Sequence, residues 1–209
     1  MWINFLSGLS RSNVGNTSAR GEPVRPRLVV EALEDRAVPA NFNAANVAQL
    51  IASIDAANLT PEADSITLAA GKTFTLTQVN NTTHGATGLP VVAAGENLTI
   101  EGNGATIVRS SAAGVPAFRL LDLAAGGSLT IRDVSLAGGL ARGLASSPWD
   151  SIWSQGGAIC SQGHLTLDGV TIRGNTAEGA SGFQSWGFAI PGGTASGGAI
   201  FSGGELTMD

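Results

Sequence analysis

Between residues 43 and 58 the apolar side chains Val47, Leu50, Ile51 and Ile54 recur at the i, i+3, i+4, i+7 spacing of an amphipathic helix. Asn41 or Asn43 is placed to cap its start, and Asn58 suits its end. Beyond Pro61 the period falls to two, first in Ser65–Leu68 (SITL) and then in Thr73–Thr77 (TFTLT), as expected of strands with one buried face.

From Val91 onward the apolar positions fall into aligned lines. Leu98-Thr-Ile100 matches Leu129-Thr-Ile131, Leu165-Thr-Leu167 and Leu206-Thr-Met208. Val134 and Leu136 follow the second of these, and Val170 and Ile172 the third, at equal distances. Ala105 and Ile107 follow the first across a turn two residues longer. Upstream of each leucine lies a further short strand, at Val91–Val92, Phe118–Leu121, Ala158–Cys160 and Ala199–Phe201. The leading leucines are 31, 36 and 41 residues apart. The strands therefore keep phase while one connection grows, which a solenoid tolerates because each insertion disturbs only its own rung.

This pattern predicts an all-β fold, a right-handed parallel β-helix (solenoid) with an N-terminal capping α-helix. Stacked rungs place Leu98, Leu129, Leu165 and Leu206 in one interior ladder, about 4.8 Å apart. Ile100, Ile131, Leu167 and Met208 form the next. The first rung of a solenoid exposes its interior and unpaired strand groups, which the Val47/Leu50/Ile51/Ile54 face is suited to cover. An antiparallel sandwich is the competing architecture, but its strands do not usually realign at homologous positions in unit after unit. Residues 1–40 lack a regular apolar period and read as a disordered segment, 41–62 as capping helix and linker, and 63–209 as the β-helix. The last unit reaches Asp209 where its next strand is due, so a longer natural polypeptide is expected.

Composition narrows the interior and the partners. The chain has 209 residues, 29 of them glycine, 43% apolar, 5% aromatic and without tyrosine, so leucine, β-branched and small side chains must build the core. A net charge of −5 argues against nucleic acid, whose phosphates call for a basic surface. The single cysteine, Cys160, excludes an internal disulfide. No run of about 18 apolar residues occurs, so no transmembrane segment is predicted.

Three phrases carry a resemblance to known families. Arg25–Ala40 (RPRLVVEALEDRAVPA) resembles the LEDR-VPA segment that precedes secreted or surface domains in predicted extracellular proteins of planctomycete bacteria, which implies an export or sorting role. The repeat beginning at Gly156 and Gly197 is similar to the GGAI/FxxN repeat of polymorphic outer-membrane proteins, with Ile172 in place of the phenylalanine, followed by Asn175. Leu98–Ile107 (LTIEGNGATI) resembles a phrase of pectin-lyase-like right-handed β-helices. The resemblance implies a cell-surface or extracellular location and an uncharacterised, adhesin-like protein. It also raises enzymes of this fold, which hold calcium on carboxylates and cleave acidic polysaccharide.

Candidate chemistry lies in two places. Glu101, Arg132, Asp168 and Asp209 stand three positions past their leading leucines, with Asp133 beside the line. Charges of alternating sign on adjacent rungs read as a solvated turn; Asp168 and Asp209 are like-charged neighbours to which calcium would bind. His84 and His164 form no triad and read as surface polar residues, and Cys160 as a small ladder residue. The aromatic side chains gather in the two long inserts: Trp149 and Trp153 in one, Phe183, Trp186 and Phe188 in the other. They suit either a satellite core or a surface that stacks on sugars. The expectation is a non-enzymatic extracellular or cell-surface protein, structural or adhesive, with these five residues as the candidate glycan-binding set. The alternative is a polysaccharide lyase or hydrolase on the same scaffold.

Overall fold

A computed structural model describes residues 38–60, 62–143, 154–185 and 188–209. In chain order the elements are β1 (Asn41–Ala44), α1 (Val47–Ala57), β2 (Ala63–Leu68), β3 (Thr73–Leu76), β4 (Asn97–Arg109), β5 (Leu121–Leu123), β6 (Ser128–Ala137), β7 (Leu140–Arg142) and β8 (Ser154–Gln155). Then follow β9 (Ile159–Ser161), β10 (His164–Asp168), β11 (Thr171–Arg173), β12 (Thr176–Glu178), β13 (Phe183–Ser185), β14 (Phe188–Ile190), β15 (Ala195–Ser196), β16 (Ile200–Ser202) and β17 (Leu206–Met208). The fold is all-β apart from one short helix, and its larger sheets are parallel.

The aligned leucines meet as the pattern requires. Leu98 pairs with Leu129, Leu129 with Leu165, and Leu165 with Leu206, while Ile100, Ile131, Leu167 and Met208 form the adjacent row. The principal sheet runs in the order β1-β2-β4-β6-β10-β17, with β3 on β4 and β11 on β6. A second parallel sheet takes β5, β9 and β16, with Leu121, Ile159 and Ile200 in register. Two further parallel pairs, β7 with β12 and β8 with β15, have alanine, threonine and serine in place of an apolar alternation. Parallel pairing rules out the antiparallel sandwich for these sheets. Antiparallel pairing joins β13 and β14, placing Ser185 opposite Phe188.

Side chains of the rows are buried because successive residues of a strand point to opposite faces and one face meets the core. Leu98, Ile100, Ile107, Leu129, Ile131, Leu136, Leu121, Ile159 and Leu165 all belong to one hydrophobic cluster. The ladder thins at its far end, where Leu206 and Met208 are exposed. The turn between the halves of β4 is longer than its counterpart in β6, so the register shifts between Glu101 and Ala105. Asn103 and Asp133 adopt positive φ there (51° and 48°), and the Asn103 amide donates to the Leu68 carbonyl at 3.1 Å.

The helix contains the whole apolar stripe but is shorter than the segment 43–58. Asn41–Ala44 forms β1, pairing with Ser65–Leu68, so neither Asn41 nor Asn43 caps α1. Asn46 does, its side chain accepting from the Gln49 N–H at 2.9 Å. Asn58 ends the helix as expected and bridges to the sheets, its amide donating to Val91 O and accepting from Ala93 N. Leu50 and Ile54 are buried in the common core, with Val47 and Ile51 packed at its margin. The strand expected at Phe118–Leu121 instead starts at Leu121, because Leu121, not an earlier residue, meets Ile159.

Candidate functional site

The charged line forms on the outer side of the principal sheet. Glu101 pairs with Arg132 and Arg132 with Asp168 across β4, β6 and β10. Arg132 Nη1 lies 2.9 Å from Glu101 Oε1, and its Nε lies 3.5 Å from Asp168 Oδ2. All three side chains are substantially exposed, so each pair contributes about 0–1 kcal/mol, and water screens the row. Asp209 follows β17, where its N–H donates to Leu167 O, and its carbonyl accepts from Gly169 N. Asp168 is therefore engaged by arginine on the side away from Asp209. Among the described residues, no three histidine, cysteine, aspartate or glutamate side chains are grouped to hold a metal ion.

Two more exposed polar pairs link neighbouring parallel strands. Arg142 on β7 meets Glu178 on β12 at 2.7 Å, and His164 on β10 meets Glu205 at 3.0 Å. Arg142 and Glu178 are directly in register across the parallel β7–β12 pair, and Glu205 immediately precedes β17, the parallel neighbour of β10.

A second polar group is buried, and the sequence pattern does not reveal it. Asp122, the middle residue of β5, is fully buried, and its Oδ2 lies 2.8 Å from His84 Nδ1. With an ionised carboxylate, whose oxygens only accept, Nδ1–H is the donor of this bond. His84 comes from the loop between β3 and β4, whose Thr87 bridges to Arg119 and whose Gly88 N–H donates to Arg119 O. Arg119 is 4% exposed, and its Nε and Nη1 have no hydrogen-bond partner, nor has Asp122 Oδ1. Gly85 lies so close to this guanidinium that a Cβ there would stand 2.8 Å from Arg119 Nη2.

Cys160 sits next to Asp122 across β5 and β9 and is buried. Burial pushes its thiol up from the ordinary value, against the opposing influence of Arg119, and Asp122 raises it further. A thiol held protonated in this way is a poor nucleophile. The carboxylate is the sulfur's strand neighbour. His84 is half-exposed, as expected of a surface residue, yet it holds a wholly buried carboxylate. The available signal was Asp122 itself, an acid that with Arg119 interrupts the otherwise apolar run Phe118–Leu123.

Trp149, Trp153 and Trp186 lie outside the described residues. Phe183 and Phe188 begin the two strands of the antiparallel hairpin formed by β13 and β14. This hairpin projects from the connection between β12 and β15, the same connection that in the preceding unit runs from β7 to β8 and carries Trp149 and Trp153 in sequence. No family model matches the chain, and neither the curated proteins nor the solved structures contain a match.

Proposed function

We propose that the chain is a right-handed parallel β-helix that acts outside the cell or at its surface as a structural or adhesive element without enzymatic activity, presenting its two long inserts to polysaccharide. The observation that carries this reading is the in-register stacking of the strand rows while the growth in unit length falls mainly in one connection. Such a scaffold repeats one loop position on one flank, and here the aromatic residues concentrate at that position. The right hand follows from the strong preference of parallel crossovers for it. Surface location is supported by the likeness of Arg25–Ala40 to the LEDR-VPA segment of planctomycete extracellular proteins.

A glycan array on the purified chain, compared with Trp149→Ala, Trp153→Ala and Trp186→Ala, tests the binding role. Binding that disappears in these variants while the unfolding midpoint is unchanged supports it. Loss of stability without any glycan binding makes the aromatic residues a satellite core instead. Calcium-dependent cleavage of a uronic-acid polymer, abolished by Asp168→Ala, would replace the proposal with a lyase.

A further inference from the structure

The end of the stack beside α1 holds three acids where later rungs hold none. In the leucine row, the position paired with Leu98 is Asp64 on β2. Asp64 is 2% exposed, accepting from Ala40 N and from Thr60 Oγ1 at 2.7 Å. Two residues earlier along the strands comes a corner position. Asn97, Ser128 and His164 are in register, so the residues preceding them, Glu96, Gly127 and Gly163, stack there, with Gly204 after them and Glu62 before. The glycines are required by space, since a Cβ on Gly163 would run into Gly127 O and one on Gly204 into Gly163 O. Room for larger side chains opens only next to the helix end, at a recess of about 240 Å³ lined by Asn58, Leu59, Thr60 and Ala93–Glu96.

Both glutamates are left incomplete. Glu96 is 4% exposed with Oε1 unpartnered, and Glu62 Oε2 is likewise buried without a partner. The titratable groups around Glu96 are Asp64 and Glu62. From α1 come Asn58 and Thr60, with no basic residue in the last turn and Asp55 on the exposed side. From the next strand come Gly127 and Ser128, whose N–H bonds the Glu96 carbonyl. No described lysine or arginine forms an ion pair with any of the three acids, and they are not grouped to hold a metal. A buried carboxylate among carboxylates needs positive compensation, and a proton is the compensation these surroundings permit.

We infer that Glu62, Asp64 and Glu96 form a proton-held clamp that fastens β1 and α1 to the parallel sheets and loosens when the proton leaves. Asp64 and Asn58 supply the fastening bonds, to Ala40 and Thr60 and to Val91 and Ala93. A negative charge on Glu96 acts on the same junction. Burial, then the Asp64 charge, raises Glu96 to about 7, against a hydrogen bond from the Asn97 backbone, which places release near neutral pH.

The test is side-chain carboxyl NMR of the full chain through a pH titration, with hydrogen exchange of the α1 amides at pH 5.5 and 8. One glutamate is expected to titrate well above the others, and its signal to vanish in Glu96→Gln. Protection factors in α1 should fall roughly ten- to a hundredfold in the wild type over this range and stay level in Glu96→Gln, whose amide keeps the donor. Glutamates that all titrate in the ordinary range overturn the inference. So does α1 protection that is independent of pH, or whose pH dependence survives in Glu96→Gln. Should that variant fail to fold, Glu62→Gln carries the test: the Glu96 midpoint must move down, and a midpoint that stays put overturns the clamp.

Discussion

Asn175 ties the segment between β11 and β12 to the junction of β6 and β7: its Nδ2 donates to Leu136 O at 3.0 Å while its Oδ1 accepts from Gly139 N at 2.8 Å. The amide offers one donor and one acceptor at the spacing of the two backbone groups, and only asparagine has both at that length. Asn175→Ala would leave a carbonyl and an N–H at this corner without a partner. We expect a loss of about 1–3 kcal/mol in urea unfolding. Asn175→Asp should cost a similar amount, since it keeps the acceptor but loses the donor to Leu136.

Equal leucines in one row should differ in importance with their place along it. Leu129 is fully buried between Leu98 and Leu165, whereas Leu206 is 38% exposed at the end of the row. Leu129→Ala is expected to cost about 2–5 kcal/mol through lost burial and the cavity left behind. Leu206→Ala should cost less than half of that. Parallel urea titrations of the two variants measure the difference, and equal losses would contradict the end position of Leu206.

The leucine rows were legible because parallel stacking repeats the same inward positions, so register is written into the spacing of Leu98, Leu129, Leu165 and Leu206. Where the inward position holds a different chemistry, the row could not be followed. Asp64 occupies the Leu98 row in β2, and β1 is a polar Asn-Phe-Asn-Ala strand, which moved the helix start from Asn43 to Val47. β7 and β12 are too short and too rich in alanine to show a period. The Arg132 ladder was read correctly from its offset, because exposed charges follow the same parallel strand register as the leucines. The Asp122 group was not, since His84 and Asp122 are 38 residues apart and a loop, not a repeat, brings them together.

Two glycines separate steric from conformational need. Gly163 has no room for a side chain because its Cβ would strike the Gly127 carbonyl. Gly126 has open space around it but a φ of +79°, where a side chain strains the backbone. Gly163→Ala therefore forces the Gly127 and Gly163 segments apart and should lower the thermal midpoint markedly. Gly126→Ala should cost only about 1–2 kcal/mol. A larger loss from Gly126→Ala than from Gly163→Ala would show that the corner yields more easily than its packing suggests.

The Glu96 clamp makes a signed prediction for stability. Its carboxyl is raised from 4.5 to about 7 in the folded chain, so the folded state holds more protons than the unfolded state between those values. Stability then falls as pH rises across that window and levels off above it. The contribution of Glu96 is full below about pH 4.5 and lost by about pH 7, with an upper bound of roughly 3 kcal/mol. Urea unfolding at pH 5 and pH 8 should show the wild type losing stability relative to Glu96→Gln, and a constant difference would contradict the shift.

The buried Asp122 makes the final prediction, in which removing more should cost less. Asp122 Oδ2 has His84 as its partner, while Oδ1 has none and the residue is fully buried. His84→Ala leaves that carboxylate without its donor, and breaking such a pair from one side costs about 3–5 kcal/mol when the remaining charge stays buried. The half-exposed imidazole lets water reach the vacated side, so the expected loss is nearer 2 kcal/mol. In the double variant His84→Ala/Asp122→Asn no carboxylate remains to be stranded, while the buried Arg119 guanidinium stays, so part of the loss should return. A double-mutant cycle by urea unfolding measures this coupling directly. Additive losses would mean that His84 packs the loop against the sheet without compensating the carboxylate.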